Sequence, residues 1–449
     1  MAPFHNKQTT TPEFFILAAL FLLAIGMLFG LTGMFQYIQP GFLKSFLSFE
    51  KVRPLHVSAV VFWIILAAAG SVLTYLQEHT GSNIKYPLLA KFHLLLFLST
   101  IVLILGFYCA GIFGGREYWE FPPVLAAPIA IGWILLLVNF ISSVGTLKHQ
   151  PVYVWMWLTG CVFFLFTFLE SYLWVFPYFR NNVINDMTIQ WKSYGSMVGA
   201  WNMLIYGCSI YLMQKITGNK TLGYSPMAFV LYFTGLFNLM FNWGHHIYTL
   251  PTHAYIKHIS YLVSMTELFI FGRIIYTWRS TVSEARRHSH IISYQLLTAA
   301  DLWIFMSLLL AICMSVPAIN VYTHGTHVTV AHTMGTTIGI NSFLLLAFVF
   351  DIFGSSKYPH RYSGKRFIKL NWVVNTALFI FWFGFIVAGY YRARWQMHTP
   401  REVFSTMMQQ LRPAFIVICI AGFFVMTGIL GMLYPLIKTR LQYLIRTKQ

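Results

Sequence analysis

Histidine and methionine side chains lie two residues apart at the mouth of one long apolar segment. His332 and Met334 belong to the stretch PAINVYTHGTHVTVAHTMGTTIGIN, residues 317–341. If this stretch is helical, the two side chains project about 200° apart, because each residue turns an α-helix by about 100°. Each side chain can then ligate a metal centre on its own side of the helix. The pattern predicts a haem-holding helix, and the alternative is a buried helix with a hydrogen-bonded histidine and a packing methionine.

Further ionisable residues lie in two other apolar segments. His245 and His246 are adjacent near the end of one segment, and neighbouring helical positions point about 100° apart, so both imidazoles can reach one metal. Neutral imidazole suits copper, iron and zinc, and an apolar span makes two unpartnered imidazoles costly. Glu267 lies among apolar residues of the next segment. An intramembrane carboxylate indicates a proton carrier or metal ligand, or else a protonated acid that bonds to a neighbouring helix.

Charged residues and one more histidine stand beside predicted spans. His56 begins the second span, in RPLHVSAVVFW, and is either a ligand or an interfacial, hydrogen-bonded residue. Arg392 and Arg394 follow the eleventh span, where two arginines indicate fixed anions such as haem propionates. Glu117, in GGREYWEFPP, is predicted to bind calcium beside such propionates. The alternative for Glu117 is an ion pair with Arg116 in a solvated loop.

The composition places these residues in a membrane. The 449-residue chain is 57% hydrophobic and 9% charged, whereas about a quarter of the residues in a soluble globular protein are charged. Apolar runs of the ~20 residues that cross a bilayer as a helix predict about twelve spans. They begin near Phe14, Val57, Leu88, Val124, Val152, Lys192, Ser225, Ala254, Ile291, Val328, Lys369 and Pro413. We therefore expect an all-α membrane protein in which residues 1–449 form a single polytopic domain.

The basic residues predict how the spans are oriented. Lysine and arginine are more numerous on the loops that face inside when the N-terminus is cytoplasmic. Spans two and ten then both start outside, so His56 lies at the membrane depth of His332 and Met334. Because the basic residues are dispersed over short loops, the net charge of +18 is a topology signal and does not indicate nucleic-acid binding.

The chain resembles the haem-copper oxidase superfamily from its first predicted span to its last. The resemblance is carried, in chain order, by RPLHVSAVVFW, GGREYWEFPP, GHH at the end of span seven, Glu267, THGTHVTVAH and YYRAR. Within the superfamily, the chain is most similar to the large subunit of nitric oxide reductases, and C-family cytochrome oxidases come next. The fold that this resemblance implies is the subunit I helical bundle.

The resemblance implies two haems and further metals. His332 would be the proximal ligand of a high-spin haem b, and His56 an axial ligand of a low-spin haem b. His245 and His246 would hold a non-haem iron or copper that faces the high-spin haem. The implied neighbours of these centres are Glu267 beside the non-haem metal and Glu117 as a ligand of calcium between the haems.

The sequence departs from the family's pattern in two places, at Met334 and in span six. Met334 stands where the family has the second histidine ligand of the low-spin haem, and His/Met ligation raises a haem's reduction potential. Span six lacks the family's third metal histidine and its glutamates: the histidine aligns with Tyr194, Gly195 or Ser196, and the glutamates with Val198 and Asn202. Two imidazoles alone hold a metal weakly. Either Tyr194, Asn202 or Glu267 completes the site, or the metal is absent.

The resemblance implies reduction of NO to N2O with electrons from a c-type cytochrome, usually through a membrane-anchored companion subunit. The chain has no C-x-x-C-H motif, so it attaches no c-type haem itself. The altered span six leaves two alternatives open. One is NO dismutation or O2 reduction, and the other is a non-catalytic haem subunit for electron transfer or gas sensing. The expected location is a bacterial-type cytoplasmic membrane.

Overall fold

The computed structural model describes residues 10–266, 290–354, 364–398 and 402–446. Nearly all of these residues are helical, because a long apolar run satisfies its backbone hydrogen bonds within its own helix, and Pro54, Pro413 and Pro435 are accommodated inside such helices. The α-helices are α1 (Thr11–Ile38), α2 (Phe49–Thr80), α3 (Pro87–Ala110), α4 (Ala126–Val144), α5 (Val152–Glu170), α6 (Pro177–Arg180), α7 (Val183–Thr217), α8 (Pro226–Phe241), α9 (from residue 254, described to 266), α10 (Ile291–Ser315), α11 (Pro317–Thr323), α12 (His327–Met334), α13 (Phe343–Gly354), α14 (Gly364–Met397) and α15 (Phe404–Arg446). Short 3₁₀ turns cover Pro123–Leu125, Leu173–Val175, Leu222–Tyr224 and Asn242–Ile247, and a π-helix covers Gly335–Ser342.

Ten helical segments of the described chain are long and apolar enough to cross a membrane. They correspond to ten of the predicted spans. The other two predicted spans coincide with α7, a 35-residue helix, and with α9, whose first residues are described. The all-α membrane fold expected from the sequence is confirmed.

The α12 segment continues into α13 through the π-helix and forms one column. The sequence predicts an uninterrupted α-helix here, but Gly335–Ser342 is wound more widely, and the Ser342 hydroxyl donates to the Thr337 carbonyl at 2.8 Å. Single π-turns inside α-helices are frequent at functional sites. The π-helix begins directly after Met334, one of the residues expected to hold haem.

Two contacts align α2 with this column. The Trp63 indole donates to the Ser342 hydroxyl at 3.1 Å, and the Tyr75 hydroxyl donates to Asp351 Oδ2 at 3.2 Å. The later residue of α2, Tyr75, contacts the later residue of the column, Asp351. Helix α2 and the column therefore run parallel. His56 precedes Trp63 by seven residues, about 10 Å along an α-helix, and Met334 precedes Ser342 by eight residues of the more widely wound π-helix, which is shorter per residue. The two expected haem ligands therefore lie at one depth.

An ion cluster around the buried Asp351 side chain joins α2, α7 and α13 near their C-terminal ends, away from His56 and Met334. Asp351 is 1% exposed and accepts from Lys215 Nζ at 2.7 Å. Lys215 also donates to Glu78 at 3.0 Å, and Glu78 accepts from the Tyr211 hydroxyl at 3.2 Å. Because an isolated buried carboxylate is costly, this pairing fixes the relative register of the three helices.

Candidate haem and metal centres

His56 is held by helix α1. Its Nδ1–H donates to the Gly26 carbonyl at 2.7 Å, which leaves Nε2 free. The ring lies directly on the α1 backbone: a Cβ at position 30 would be 2.7 Å from two ring atoms, so Gly30 makes the approach possible. A hydrogen bond to a backbone carbonyl fixes the tautomer and orientation of a metal-ligating histidine. The geometry of His56 therefore fits an axial ligand.

The His332 and Met334 side chains are both half-buried. His332 Nδ1 is buried, and the Ser307 backbone is its nearest hydrogen-bond partner, although the contact falls outside strict hydrogen-bond geometry. Met334 packs against the apolar core of the bundle. An imidazole and a thioether two residues away provide donor atoms for two separate iron centres.

The adjacent histidines lie on a 3₁₀ turn, not on an α-helix as predicted. The rings of His245 and His246 are 4.2 Å apart between centroids, and a 3₁₀ turn separates neighbouring side chains by about 120°. His245 Nδ1–H donates to Asn242 Oδ1 at 3.1 Å, and the Ser264 hydroxyl donates to the same oxygen. The His332 imidazole is close enough to interact electrostatically with both of these imidazoles. The structure thus brings together the histidines of the expected high-spin haem and non-haem metal.

Helix α7 presents an indole to this pair. The Trp191 ring stacks on His246 with centroids 4.9 Å apart and planes 15° from parallel. Tyr194 instead packs against Tyr118 at 5.5 Å between ring centroids. A Cβ at Gly195 would be 2.8 Å from the Trp243 Cβ, so no larger side chain fits there. Because an indole has no lone pair for a metal, the α7 side chain that stacks on the pair is not a metal ligand.

Asn202, another candidate for completing the metal site, makes no hydrogen bond to the histidine pair in the described structure. Asn202 Oδ1 is buried and has no hydrogen-bond partner in the described structure. Asn202 lies eight residues beyond Tyr194 on α7, about 12 Å along the helix. Glu267 lies outside the described residues. Within the residues that the structure describes, no three His, Cys, Asp or Glu side chains stand close enough to hold a metal as they are.

Arg53 occupies the place expected for calcium. Its guanidinium donates to Glu117 Oε1 and, at 3.0 Å, to Glu120 Oε1. The ion pair considered between Glu117 and Arg116 is wrong, because Arg116 pairs with Asp186 at 2.7 Å. Calcium takes six to eight oxygen ligands, whereas both of these carboxylates already bind a cation. The described residues therefore do not fit a calcium site at Glu117.

Burial raises the pKa values of two side chains in the loop that carries Glu117. It raises the pKa of Glu120, and the Arg53 guanidinium opposes that increase. Burial also raises the pKa of Tyr118 to about 12, with a further contribution from the negative charge of Glu117. The loop thus combines one carboxyl that holds its proton more strongly than usual with a fixed positive charge.

The two arginines after span eleven differ in their surroundings. Residues 390–397 belong to α14 and do not form a loop. The Arg392 guanidinium lies over the rings of Trp395 and Phe404, at 4.7 and 5.0 Å from their centroids. Arg394 is exposed and makes no ion pair within the described structure. Arg392 is therefore the better placed of the two to meet a buried anion, and its contacts with aromatic rings hold it in position.

These side chains fit two haems better than they fit a complete third metal site. His56 and Met334 offer one nitrogen and one sulfur at a similar depth, and His332 offers a further ring nitrogen. His245 and His246 offer two nitrogens to a non-haem metal. The sequence indicates these five residues because histidine and methionine are rare ligand types at the ends of apolar spans, and their role as ligands stays a prediction.

Sequence reasoning missed four neighbours of the site. They are Arg53, Trp191, Asn242 and His324. Arg53 lies one helical turn before His56, and Asn242 lies three residues before His245, so helical spacing could have identified both. No sequence signal places Trp191 or His324 at the histidine pair, because these contacts depend on the packing of separate helices.

Comparison with known proteins defines the class. The family model described as cytochrome c and quinol oxidase polypeptide I matches residues 13–433. The chain belongs to this family, the subunit I family of haem-copper oxidases, whose members are oxidoreductases that bind haems and a second metal.

Individual relatives are distant but similar over almost their whole length. A nitric oxide reductase subunit from Stutzerimonas stutzeri is 22% identical, over 96% of this chain and 94% of that protein. The cbb3-type cytochrome c oxidase subunit CcoN1 of the same organism is also 22% identical, over 87% of this chain and 86% of that protein. A cryo-EM structure of a heme-copper terminal oxidase dimer matches with a TM-score of 0.74, at 14% identity, over 96% of this chain and 84% of that chain. The family resemblance and the subunit I fold are confirmed.

Proposed function

We propose that this chain is the catalytic subunit of a divergent nitric oxide reductase. The overall reaction joins two NO molecules with two electrons and two protons to give one N2O and one water. The proposal rests on the position of the His245–His246 pair. Both imidazoles are close enough to the His332 imidazole to interact with it electrostatically. This arrangement suits a binuclear centre, and similarity to the nitric oxide reductase subunit from Stutzerimonas stutzeri favours NO as the substrate.

Electrons would enter through the low-spin haem. His56 and Met334 are its proposed ligands, and His332, two residues from Met334, is the proposed ligand of the high-spin haem b. Because one α12 turn carries a ligand of each haem on opposite sides, the two haems would lie close together. A c-type cytochrome, soluble or anchored as a companion subunit, is the proposed donor. A thioether ligand raises the potential of the low-spin haem and favours its reduction.

The residues around the histidine pair orient its imidazoles and shield the proposed gas-binding site from water. A redox-active iron or copper bound there would supply a second electron source and a second position for NO. Asn242 orients His245 through Nδ1, and Ser264 holds Asn242 in turn. Trp191 covers one face of His246 and keeps bulk water from that side. Neutral imidazoles held this way are suitable ligands for a non-haem metal.

A second candidate function has an observation in its favour. The α7 side chain that contacts the pair is the Trp191 indole, and Tyr194, one of the positions aligned with the family's third metal histidine, packs against Tyr118 instead. This substitution favours a haem subunit without a working non-haem metal, which would transfer electrons or sense a diatomic gas. NO dismutation and O2 reduction are the remaining enzymatic alternatives, and no contact in the described structure favours them over NO reduction.

Isotope-resolved gas analysis separates these functions. The complex purified in detergent is given ¹⁵NO and a reduced c-type cytochrome under anaerobic conditions. We expect ¹⁵N2O at one molecule per two NO consumed, and a loss of most turnover in His245→Ala with haem content unchanged. Haem oxidation without N2O would support electron transfer or sensing and refute NO reduction. Release of O2 would support dismutation.

The proposed setting is a bacterial-type cytoplasmic membrane. The ten apolar helices support a multi-pass membrane protein, and the distribution of basic residues favours a cytoplasmic N-terminus. The haem ligands then lie near the outer face, close to the side from which a c-type cytochrome would approach. We propose that residues 1–449 act as one polytopic domain within this assembly.

A further inference from the structure

Helices α10 and α14 approach the α12–α13 column very closely about one turn beyond His332. A Cβ at Gly335 would lie 2.5 Å from Ser307 Oγ, on α10, and 3.1 Å from Trp382 Nε1, on α14. Ser307 is 0% exposed and Trp382 is 7% exposed. Because ordinary contact begins near 3.4 Å, glycine at position 335 is what allows both side chains to reach the backbone of the column.

Further contacts fix the register of α10 against the column. The Ser293 hydroxyl donates to the Ala347 carbonyl at 3.1 Å. Trp303 packs on Gly339, where a Cβ would lie 2.5 Å from the indole Cγ. Residue numbers rise along α10 as they fall along the column, so the two segments are antiparallel. The same register brings Ser307 level with the start of the π-helix, next to the expected haem ligands.

The backbone of Ser307 faces the His332 ring. It is the nearest hydrogen-bond partner of His332 Nδ1, and a helical carbonyl keeps a second lone pair beyond the one used inside its own helix. A histidine that binds iron through Nε2 carries its proton on Nδ1, and the acceptor of that proton sets the orientation and basicity of the ring. The Gly26 carbonyl has this position beside His56. Ser307 is placed to act in the same way on His332.

The Ser307 side chain contributes by contact and not by a hydrogen bond. Serine hydroxyls inside helices often donate to a carbonyl one turn earlier, but Ser307 Oγ and Trp382 Nε1 make no hydrogen bond in the described structure. A buried polar group without a partner is destabilising, so hydrogen bonding in the fold does not account for either group. Both press on the backbone of Gly335, and this contact determines how closely the Ser307 peptide approaches His332.

We propose that Ser307 is a positioning residue for His332, and that the close approach at Gly335 sets how strongly the Ser307 carbonyl accepts from His332 Nδ1–H. Trp382 supports the same contact from α14. An accepted Nδ1 proton makes the imidazole a stronger donor to iron, which favours the ferric state and lowers the potential of the high-spin haem. This inference rests on the haem proposed at His332, but it concerns ligand geometry and does not require NO reduction.

Alanine at position 335 tests the inference in the purified complex. The added methyl group pushes Ser307 away from the column, so Gly335→Ala should lower the Fe–His stretching frequency in resonance Raman spectra of the ferrous high-spin haem. The reduction potential of that haem should rise, and its retention should weaken by ~10–100-fold. Adding Ser307→Ala removes the hydroxyl that the methyl group meets, so the double variant should recover most of the frequency shift.

Gly339→Ala is the matched control. Its methyl group would lie 2.5 Å from Trp303 Cγ and overpacks the same column about one turn farther from His332. It should lower stability without moving the Fe–His band. Ser307→Val adds bulk to the contact from α10 and should reproduce the shift of Gly335→Ala, so it serves as the test variant if Gly335→Ala does not fold. The low-spin haem should keep its spectrum in these variants.

Several results would overturn the positioning role. They are an unchanged Fe–His band and potential in both Gly335→Ala and Ser307→Val, an equal shift in Gly339→Ala, and no recovery in the double variant. A wild-type Fe–His band that survives in His332→Ala would also overturn it, because His332 would then not be the ligand. If the band shifts as expected but the wild type forms no N2O, the inference stands and NO reduction fails. If N2O forms and the band does not shift, the reverse holds.

Discussion

Replacing Gly30 with alanine should dislodge His56 from its haem-binding position. The added methyl group would lie 2.7 Å from two atoms of the His56 ring, whereas ordinary contact begins near 3.4 Å. The ring must therefore move about 0.7 Å away from α1. Because its Nδ1–H bonds to Gly26 on the same helix at 2.7 Å, that movement stretches the bond to about 3.4 Å, beyond the normal range.

The energetic cost follows from three contributions. Overpacking a tight contact costs about 1–3 kcal/mol, and loss of the hydrogen bond adds about 0.5–1.5 kcal/mol. Alanine regains about 0.5–1 kcal/mol over glycine within a helix. The net expectation for Gly30→Ala is a destabilisation of about 1–3 kcal/mol, together with weaker or altered ligation of the low-spin haem.

Optical and magnetic spectra of the purified protein measure the result. We expect Gly30→Ala to lose low-spin haem, or to convert part of it to a high-spin form, while the haem bound by His332 remains. Gly106→Ala is the matched control, since nothing lies within 4 Å of its Cβ position on α3. If Gly30→Ala keeps full low-spin haem with unchanged spectra and stability, His56 does not hold a haem in the position described.

Three further substitutions test separate parts of the structure. Met334→His should replace a thioether by an imidazole and lower the low-spin haem potential, on the order of 100 mV, in a spectroelectrochemical titration. Arg53→Met removes the charge that opposes the burial effect, so the pKa of Glu120 should rise further and its protonated carboxyl band should persist to higher pH in infrared spectra. Lys215→Met removes the lysine that pairs with buried Asp351, which then keeps the Tyr75 hydrogen bond and His290 at 4.0 Å, and should lower the free energy of unfolding by about 2–4 kcal/mol.

Each of these substitutions has its own control. Met334→Leu removes the donor atom and should yield a five-coordinate haem; an unchanged potential in both Met334 variants would contradict thioether ligation. Glu117→Gln removes a negative charge beside Glu120, so it should shift the pKa of Glu120 downward, opposite to Arg53→Met. Adding Asp351→Asn to Lys215→Met should restore most of the stability, whereas Lys148→Met, at a lysine in the loop before α5, should change little.

The residues that could be predicted from the sequence are those with a strong local signal. Long apolar runs predict helices whatever surrounds them, and histidines or a methionine at the ends of such runs indicate ligands. His56, His332 and the adjacent pair were identified in this way. The common depth of His56, His332 and Met334 is predicted from the orientation of the spans, and the contact between Trp63 and Ser342 agrees with it.

The remaining features depend on contacts between distant parts of the chain. Arg53 meets Glu117 across 64 positions, and no local pattern distinguishes that pair from an ion pair with Arg116. The approach of His324 to His246 likewise requires the packing of α11 against the end of α8. The π-helix after Met334 has no periodicity of its own, because packing determines where a column widens.

Counting metals in the purified wild-type complex is the decisive experiment. Total iron and copper, haem number and near-infrared magnetic circular dichroism are measured on one sample. We predict two haems per chain, a low-spin haem with the histidine–methionine signature, and one additional non-haem metal. A single haem, a low-spin haem with two histidine ligands, or two haems without any further metal would contradict the proposed centres.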